Sequence, residues 1–266
     1  MEFAFKNHYR IDDLLQIMQI LRGEGGCPWD REQTHQSIRR NLLEETYEAA
    51  EAIDMGDSGL LLEELGDVLL QVVFHAQMEA EQGSFSFDDV CNGICQKLIL
   101  RHPHIFGDVT ADTSEEVLKN WDEIKKQEKG QKTQSDALQA VPRTLPALMR
   151  SAKVQQRAAK TGFDYPGLSD AMGDLESELA ELKEAASGGS PEAIEEELGD
   201  LLFSCVNVSR FLHSDAEESL TRSTDKFIRR FAEVEKLAYS KGVDMKAASL
   251  EELNQLWFEA KKKVQL

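Results

Sequence analysis

The sequence predicts an all-α fold built from two tandem copies of one helical unit. Three observations carry this. First, Leu61, Leu65, Val68, Leu69, Val72, Val73 and Ala76 recur with the period of an amphipathic helix. Second, the stripe returns 133 residues later as Ile194, Leu198, Leu201, Leu202, Cys205 and Val206. Third, no stretch of comparable length alternates with period two, so a sheet is not expected.

The elements follow in one order in each half. An aromatic–Asp pair, Trp29-Asp30 or Phe163-Asp164, precedes an acidic helix. Two acids three apart come next, Glu45 with Glu48 and Glu178 with Glu181. A short loop follows, Met55-Gly56-Asp57-Ser58-Gly59 in the first half and Ser187-Gly188-Gly189-Ser190-Pro191 in the second. Ser190 reads as an N-cap with Pro191 at the first helical position. Loops this short imply antiparallel neighbours. The second helix carries Glu64 with Asp67, or Glu197 with Asp200. Later helices hold Lys97 and Arg101, or Lys226 and Arg230, then Trp121 and Lys125, or Trp257 and Lys261. Thr113-x-x-Glu116 and Ser249-x-x-Glu252 are capping-box signatures. The polar stretch 129–145 reads as a linker, with an N-terminal module over 1–128 and a C-terminal module over 146–266.

Composition bounds the function. The chain has 266 residues, 41% hydrophobic and 30% charged, as expected of a globular protein. A net charge of −19 argues against nucleic acid or an anionic membrane as partner. It leaves room for a polyphosphate ligand, because a bound cation reverses the local sign. No apolar run is long enough to span a bilayer, and the N-terminal residues lack a signal-peptide pattern. Cys27, Cys91, Cys95 and Cys205 form neither a zinc-ligand spacing nor a disulfide framework. A cytoplasmic protein with reduced thiols is expected.

The acids are the chemical feature. Glu45, Glu48, Glu64 and Asp67 are each repeated 133 residues on as Glu178, Glu181, Glu197 and Asp200. Acids three apart share a helix face. Two such pairs on consecutive helices bring four carboxylates into one volume, which is unstable without a cation. An all-oxygen set with no matching His or Cys suits Mg²⁺, with Mn²⁺ as a substitute. A single pair of this kind reads more simply as a solvated acidic face; the duplication with identical spacing argues otherwise. Glu63 and Glu196 fall on a neighbouring strip of the same helices. The Lys/Arg pairs could face phosphates, or form surface salt bridges. The tryptophans could stack on a base, or pack in a core. No phosphate loop, dinucleotide fingerprint, HExxH or GxSxG motif is present. Arg101-His102-Pro103-His104 reads as a structural turn, and His8, His35, His75 and His213 show no pattern.

Glu44-Glu45-x-x-Glu48 followed by Glu64-x-x-Asp67 resembles the EExxE…ExxD motif of the MazG nucleoside triphosphate pyrophosphohydrolases. Cys27-Pro28-Trp29-Asp30-Arg31-Glu32-Gln33-Thr34 and Arg101-His102-Pro103-His104-Ile105-Phe106 look like signatures of the long form of that family. The resemblance covers essentially the whole chain. It implies tandem helical-bundle modules, related to the dimeric all-α dUTPases, and a homodimer. It implies Mg²⁺-dependent hydrolysis of (d)NTPs to (d)NMP and pyrophosphate, by water attack at the α-phosphate and with broad base tolerance. The competing reading is a non-catalytic nucleotide or metal sensor acting through a partner protein.

Carried over to this sequence, the resemblance makes Glu178, Glu181, Glu197 and Asp200 the metal ligands, with Glu45, Glu48, Glu64 and Asp67 as a second set. Lys226 and Arg230 would meet phosphates. Arg229, Glu196, Trp257 and Lys261 would contact the nucleotide, as would Lys97, Arg101, Trp121 and Lys125 in the N-terminal module. The second copy departs at one place: Ser177 stands where Glu44 stands in the first. Motif completeness favours the N-terminal copy and family resemblance the C-terminal one, which is the expected seat of hydrolysis.

Overall fold

The computed structural model describes residues 3–111, 113–117, 120, 121, 124 and 133–264. Among the described residues the regular secondary structure is helical, with no strand. The chain divides into two compact units, residues 1–129 and 130–266.

The first unit contains α1 (Ile11–Arg22), α2 (Pro28–Glu32), α3 (Arg39–Met55), α4 (Ser58–Gln82), α5 (Phe87–Arg101) and α6 (Pro103–Phe106). Helices α3 and α4 form a hairpin, and α1 and α5 lie against α4. Met18, Ile38, Val73, Phe74 and Met78 make its core. The hairpin turn is shorter than the sequence suggests. Gly56, at φ 66°, closes α3 in the left-handed conformation that a side chain disfavours. Asp57 then caps α4, its Oδ1 accepting from the backbone N–H of Gly59 (2.9 Å) and Leu60 (3.1 Å). Ser58 and Gly59, read as loop, therefore belong to the first turn of α4. Farther on, the expected capping box forms: Thr113 and Glu116 exchange side-chain to backbone bonds at 3.3 and 3.2 Å.

The second unit contains α7 (Gln134–Gln139), α8 (Ala147–Ala159), α9 (Leu168–Gly188), α10 (Pro191–Phe211), α11 (Ala216–Lys241) and α12 (Leu250–Lys263). Helices α9 and α10 repeat the hairpin, α8 packs on α10 and α11, and α11 pairs with α12. Val234, Leu237, Ala238, Leu256 and Ala260 form the core of that last pair. Only Gly189 and Ser190 join α9 to α10. A Cβ on Gly189 would lie 2.7 Å from the carbonyl oxygen of Ala185, so glycine is required by close approach. Ser190 Oγ accepts from the N–H of Ala193 at 3.3 Å, and Pro191 opens the helix as expected. The capping box of Ser249 and Glu252 is also formed. The stretch read as a linker is not wholly irregular: α7 lies within it, capped by Thr133, and packs on α8.

The apolar stripes are only partly buried. Val73, Ala76 and Val206 are in the interior, whereas Leu65, Leu69, Leu198 and Leu202 are 39–53% exposed. Each hairpin buries one face of its second helix within its own unit and leaves part of the stripe uncovered.

Candidate active site

The hairpins bring the acids together. Glu45 and Glu48 on α3 and Glu64 on α4 each offer a carboxylate oxygen, with all three within 4.8 Å of one another. Glu178 on α9 and Glu197 and Asp200 on α10 do the same in the second unit. The two-residue turns set this register: each helix pair folds back so that consecutive helix faces meet. One acid of each quartet stands outside the tight trio, Asp67 in the first unit and Glu181 in the second.

Electrostatics shows the strain of this arrangement. Partial burial and the charges of Asp67, Glu48 and Glu64 push the Glu45 carboxyl above its ordinary range. Burial and the charges of Glu48, Asp67 and Glu63 do the same to Glu64. In the second unit burial and the charges of Glu181, Asp174, Asp200 and Glu197 raise Glu178. Burial with Glu181, Asp200 and Glu196 raises Glu197. A raised carboxyl in each case means that the anion is disfavoured where it stands, and a cation among these oxygens would reverse the sign. The donor set is all oxygen, which fits a hard divalent ion.

The two copies differ beside the acids. In the first, Glu44 pairs with Arg40 one turn back, at 3.0 Å, on an exposed face. In the second, Ser177 donates its hydroxyl hydrogen to Glu181 Oε1 at 3.0 Å. The first glutamate of the EExxE pattern is thus occupied by a surface arginine, and its replacement steadies the acid that stands outside the trio.

The other residues expected at the site are placed less directly. Lys226 and Arg230 are half-buried on α11, and Arg229 is exposed. Among the described residues no ion pair joins them to the carboxylates. Trp257 packs partly into the α11–α12 core, 5.2 Å from the Phe227 ring. Lys261 Nζ lies 6.0 Å from its ring centroid. In the first unit Lys97 is exposed and Arg101 half-buried on α5. Trp121 meets the His102 ring edge-on at 5.0 Å. Lys125 lies outside the described residues. Arg101 to His104 form the expected turn: the N–H of His102 bonds Ile99 and α6 begins at Pro103.

Two constellations had no visible signal in the sequence. His35 and His75 stack with centroids 5.0 Å apart, their Nδ1 atoms 2.7 Å apart, and Glu79 reaches Nε2 of His35 at 2.8 Å. They are 40 residues apart in sequence, so no local period links them. In the second unit, Asp164 receives two N–H bonds from Arg210, which hold its carboxyl below the ordinary range despite partial burial. The sequence shows the aromatic–Asp pair, but its partner lies 46 residues on, beyond any local pattern.

Comparison with known proteins agrees with this geometry. The MazG nucleotide pyrophosphohydrolase domain matches residues 33–106 and 169–234, covering both hairpins. An Escherichia coli K12 protein named nucleoside triphosphate pyrophosphohydrolase is 47% identical over 256 residues, spanning 95% of this chain and 97% of its own length. A Thermotoga maritima protein named nucleoside triphosphate pyrophosphohydrolase/pyrophosphatase MazG is 45% identical over 250 residues, 94% of this chain and 95% of its own. Bacillus subtilis YabN, described as uncharacterized, is 45% identical over 255 residues, and the match takes in 96% of this chain but 52% of that protein. With two matched hairpins, two carboxylate trios and near-full-length relatives, the chain belongs to the MazG family of nucleotide pyrophosphohydrolases.

Proposed function

We propose that the protein hydrolyses (d)NTPs to (d)NMP and pyrophosphate with Mg²⁺ as cofactor and Mn²⁺ as substitute, and that the C-terminal unit carries the reaction. The observation that carries this reading is the pair of crowded carboxylate trios, each with raised carboxyls. Glu178, Glu197 and Asp200 would hold the ion, with Glu181 beside them. When bound, a divalent ion supplies charge neutralisation and Lewis-acid activation.

The chain's own groups account for the rest. Glu181, held by Ser177 and outside the tight trio, orients a water and takes its proton. The water oxygen bonds to the α-phosphorus, the bond to the α,β-bridging oxygen breaks, and pyrophosphate leaves with the electron pair. Lys226 and Arg230 neutralise that leaving group. Trp257 and Lys261 contact the nucleotide, with Arg229 and Glu196 at the margin. Phosphates are common to all nucleotides, which supports broad base tolerance.

A homodimer belongs to the same reading. Exposed apolar side chains such as Leu198 (46%), Leu202 (49%), Phe227 (55%) and Ile228 (58%) form surfaces that a second copy would cover. Among the described residues no helix is long and apolar enough to cross a membrane. The free cysteines suit a reducing compartment, and we place the protein in the cytoplasm.

The test is pyrophosphate and monophosphate release from a panel of (d)NTPs with Mg²⁺. Near-normal release by a Glu64→Ala/Glu197→Ala double variant would sink the proposal. Nucleotide binding by the wild type without product would favour the sensor reading instead.

A further inference from the structure

The first unit holds a histidine pair that the carboxylate trio does not use. His35 stands in the turn between α2 and α3. Thr34 and Ser37 brace that turn, each backbone N–H bonding the other's hydroxyl, at 2.9 and 3.2 Å. His75 stands on α4, about two turns beyond Asp67. The two rings lie within 4° of parallel, and their Nδ1 atoms are 2.7 Å apart. Nitrogens this close share one proton, one ring donating and the other accepting. A proton held in this way occupies the place of a metal ion between two imidazoles. With bonds of the usual Zn–N length in a tetrahedral shell, the nitrogens would open to about 3.3 Å. The His35 side chain is 37% exposed, which gives it room to move and an ion a way in.

The surroundings suit a metal. Burial, and secondarily His35, hold the His75 pKa below 6.5, so the ring is neutral near pH 7, the form that binds metal. Glu79 lies one turn beyond His75 on α4. Its Oε1 is 2.8 Å from Nε2 of His35, outside the line of a hydrogen bond. A carboxylate at the outer nitrogen of a ligating histidine fixes the ring and raises its basicity. On the other ring, Nε2 of His75 is buried without a hydrogen-bond partner, and so is Oε1 of Gln71. Gln71 is 7% exposed and precedes His75 by one turn, so the two side chains are neighbours on one helix face. With a metal on Nδ1, the His75 proton sits on Nε2 as a donor, and Gln71 Oε1 is an acceptor one turn away. The second unit repeats none of this. At the 133-residue offset His75 corresponds to Val208 and Glu79 to Leu212. Imidazole nitrogens also select another class of ion than the all-oxygen trio does.

We propose that His35 and His75 form a transition-metal site in the first unit, taking a divalent ion of the Zn²⁺ class through their Nδ1 atoms. Water completes the shell, and Glu79 and Gln71 steady the two rings from outside. The ion displaces the shared proton, so binding releases it to solvent. This site is separate from the carboxylate trio and does not depend on which unit hydrolyses nucleotide.

The test titrates the full chain with Zn²⁺ in excess Mg²⁺ by calorimetry, and repeats the titration on His35→Gln, His75→Gln and Glu79→Gln. Each histidine variant should lose one Zn²⁺ site relative to the wild type. Glu79→Gln should keep that site and weaken it about tenfold or more. Zn²⁺ held only by the carboxylate trios or by cysteines would bind all four proteins alike and overturn the assignment. A second readout needs no folded variant of the buried ring. Two-bond nitrogen–proton spectra of ¹⁵N-histidine-labelled wild type, assigned with the partly exposed His35→Gln, report which ring nitrogen carries the proton. Zn²⁺ should move the His35 and His75 signals together and leave both rings protonated at Nε2, whereas Mg²⁺ should leave them in place. Signals of this pair that Zn²⁺ does not move, or that Mg²⁺ moves equally, overturn the site.

Discussion

Ser177 donates to Glu181 at 3.0 Å within one turn of α9. This bond gives the divergence between the two copies a physical meaning. In the first unit the corresponding Glu44 is drawn off to Arg40, so the Ser177 substitution costs no ligand. Ser177→Ala removes one hydrogen bond to a carboxylate and should lower kcat roughly two- to tenfold with KM nearly unchanged. Steady-state kinetics with ATP checks this. Ser177→Glu, which restores the full motif, should not rescue activity, since it replaces the donor with a further negative charge. A Ser177→Glu enzyme faster than the wild type would contradict the role given to this bond.

The carboxylate trios make opposite demands on stability and function. Glu197→Gln relieves the repulsion from Glu181 and Asp200 that raises its carboxyl, so the metal-free protein should melt at a higher temperature. The same change removes an ion ligand worth several kcal/mol in the transition state, so activity should fall by about 100-fold or more. The stabilisation that Mg²⁺ gives the wild type should shrink as well. Thermal melts with and without Mg²⁺, beside turnover, read all three. Glu64→Gln makes the corresponding change in the first unit, and if hydrolysis belongs to the second unit it should leave most of the turnover in place.

The acids were legible in the sequence because their information is local. Helical period puts Glu45 with Glu48, a two-residue turn brings up Glu64, and the 133-residue offset repeats the pattern. Even the turn lengths were nearly readable, since Gly56, Asp57, Ser190 and Pro191 each have one favoured place at a helix end. What stayed hidden depends on long-range contact. Gln155 meets Phe203 across 48 residues through a backbone carbonyl, and a backbone acceptor leaves no residue-type signature. His35 and His75 meet across 40 residues. The tryptophan shows the same limit: the sequence presents Trp257 as an aromatic one turn before Lys261, but its packing against Phe227 is set by how α11 meets α12.

The histidine pair in the first unit predicts a pH dependence of stability. Burial, and secondarily the neighbouring His35, lower the His75 pKa from its ordinary 6.5. The folded state therefore binds a proton less readily than the unfolded chain. Stability from this group is complete above 6.5 and is lost as pH falls through the depressed folded value. The wild type should lose more of its melting temperature between pH 7.5 and pH 5.5, both chosen as roughly one unit either side of the ordinary value, than His75→Gln does. Parallel losses in the two proteins would show that the pair is not what titrates.

Asp164 and Arg210 predict a loss of the same sign in the second unit, at lower pH. The arginine's hydrogen bonds hold the Asp164 carboxyl below its ordinary 3.8. Here the unfolded chain takes up a proton first, so the contribution is complete above 3.8 and disappears as pH falls through the lower folded value. Arg210→Met removes the pair, and with partly exposed side chains the cost near neutral pH should be modest, about 1 kcal/mol. Denaturant titrations at pH 7 and below pH 4 should show the two proteins converging in acid.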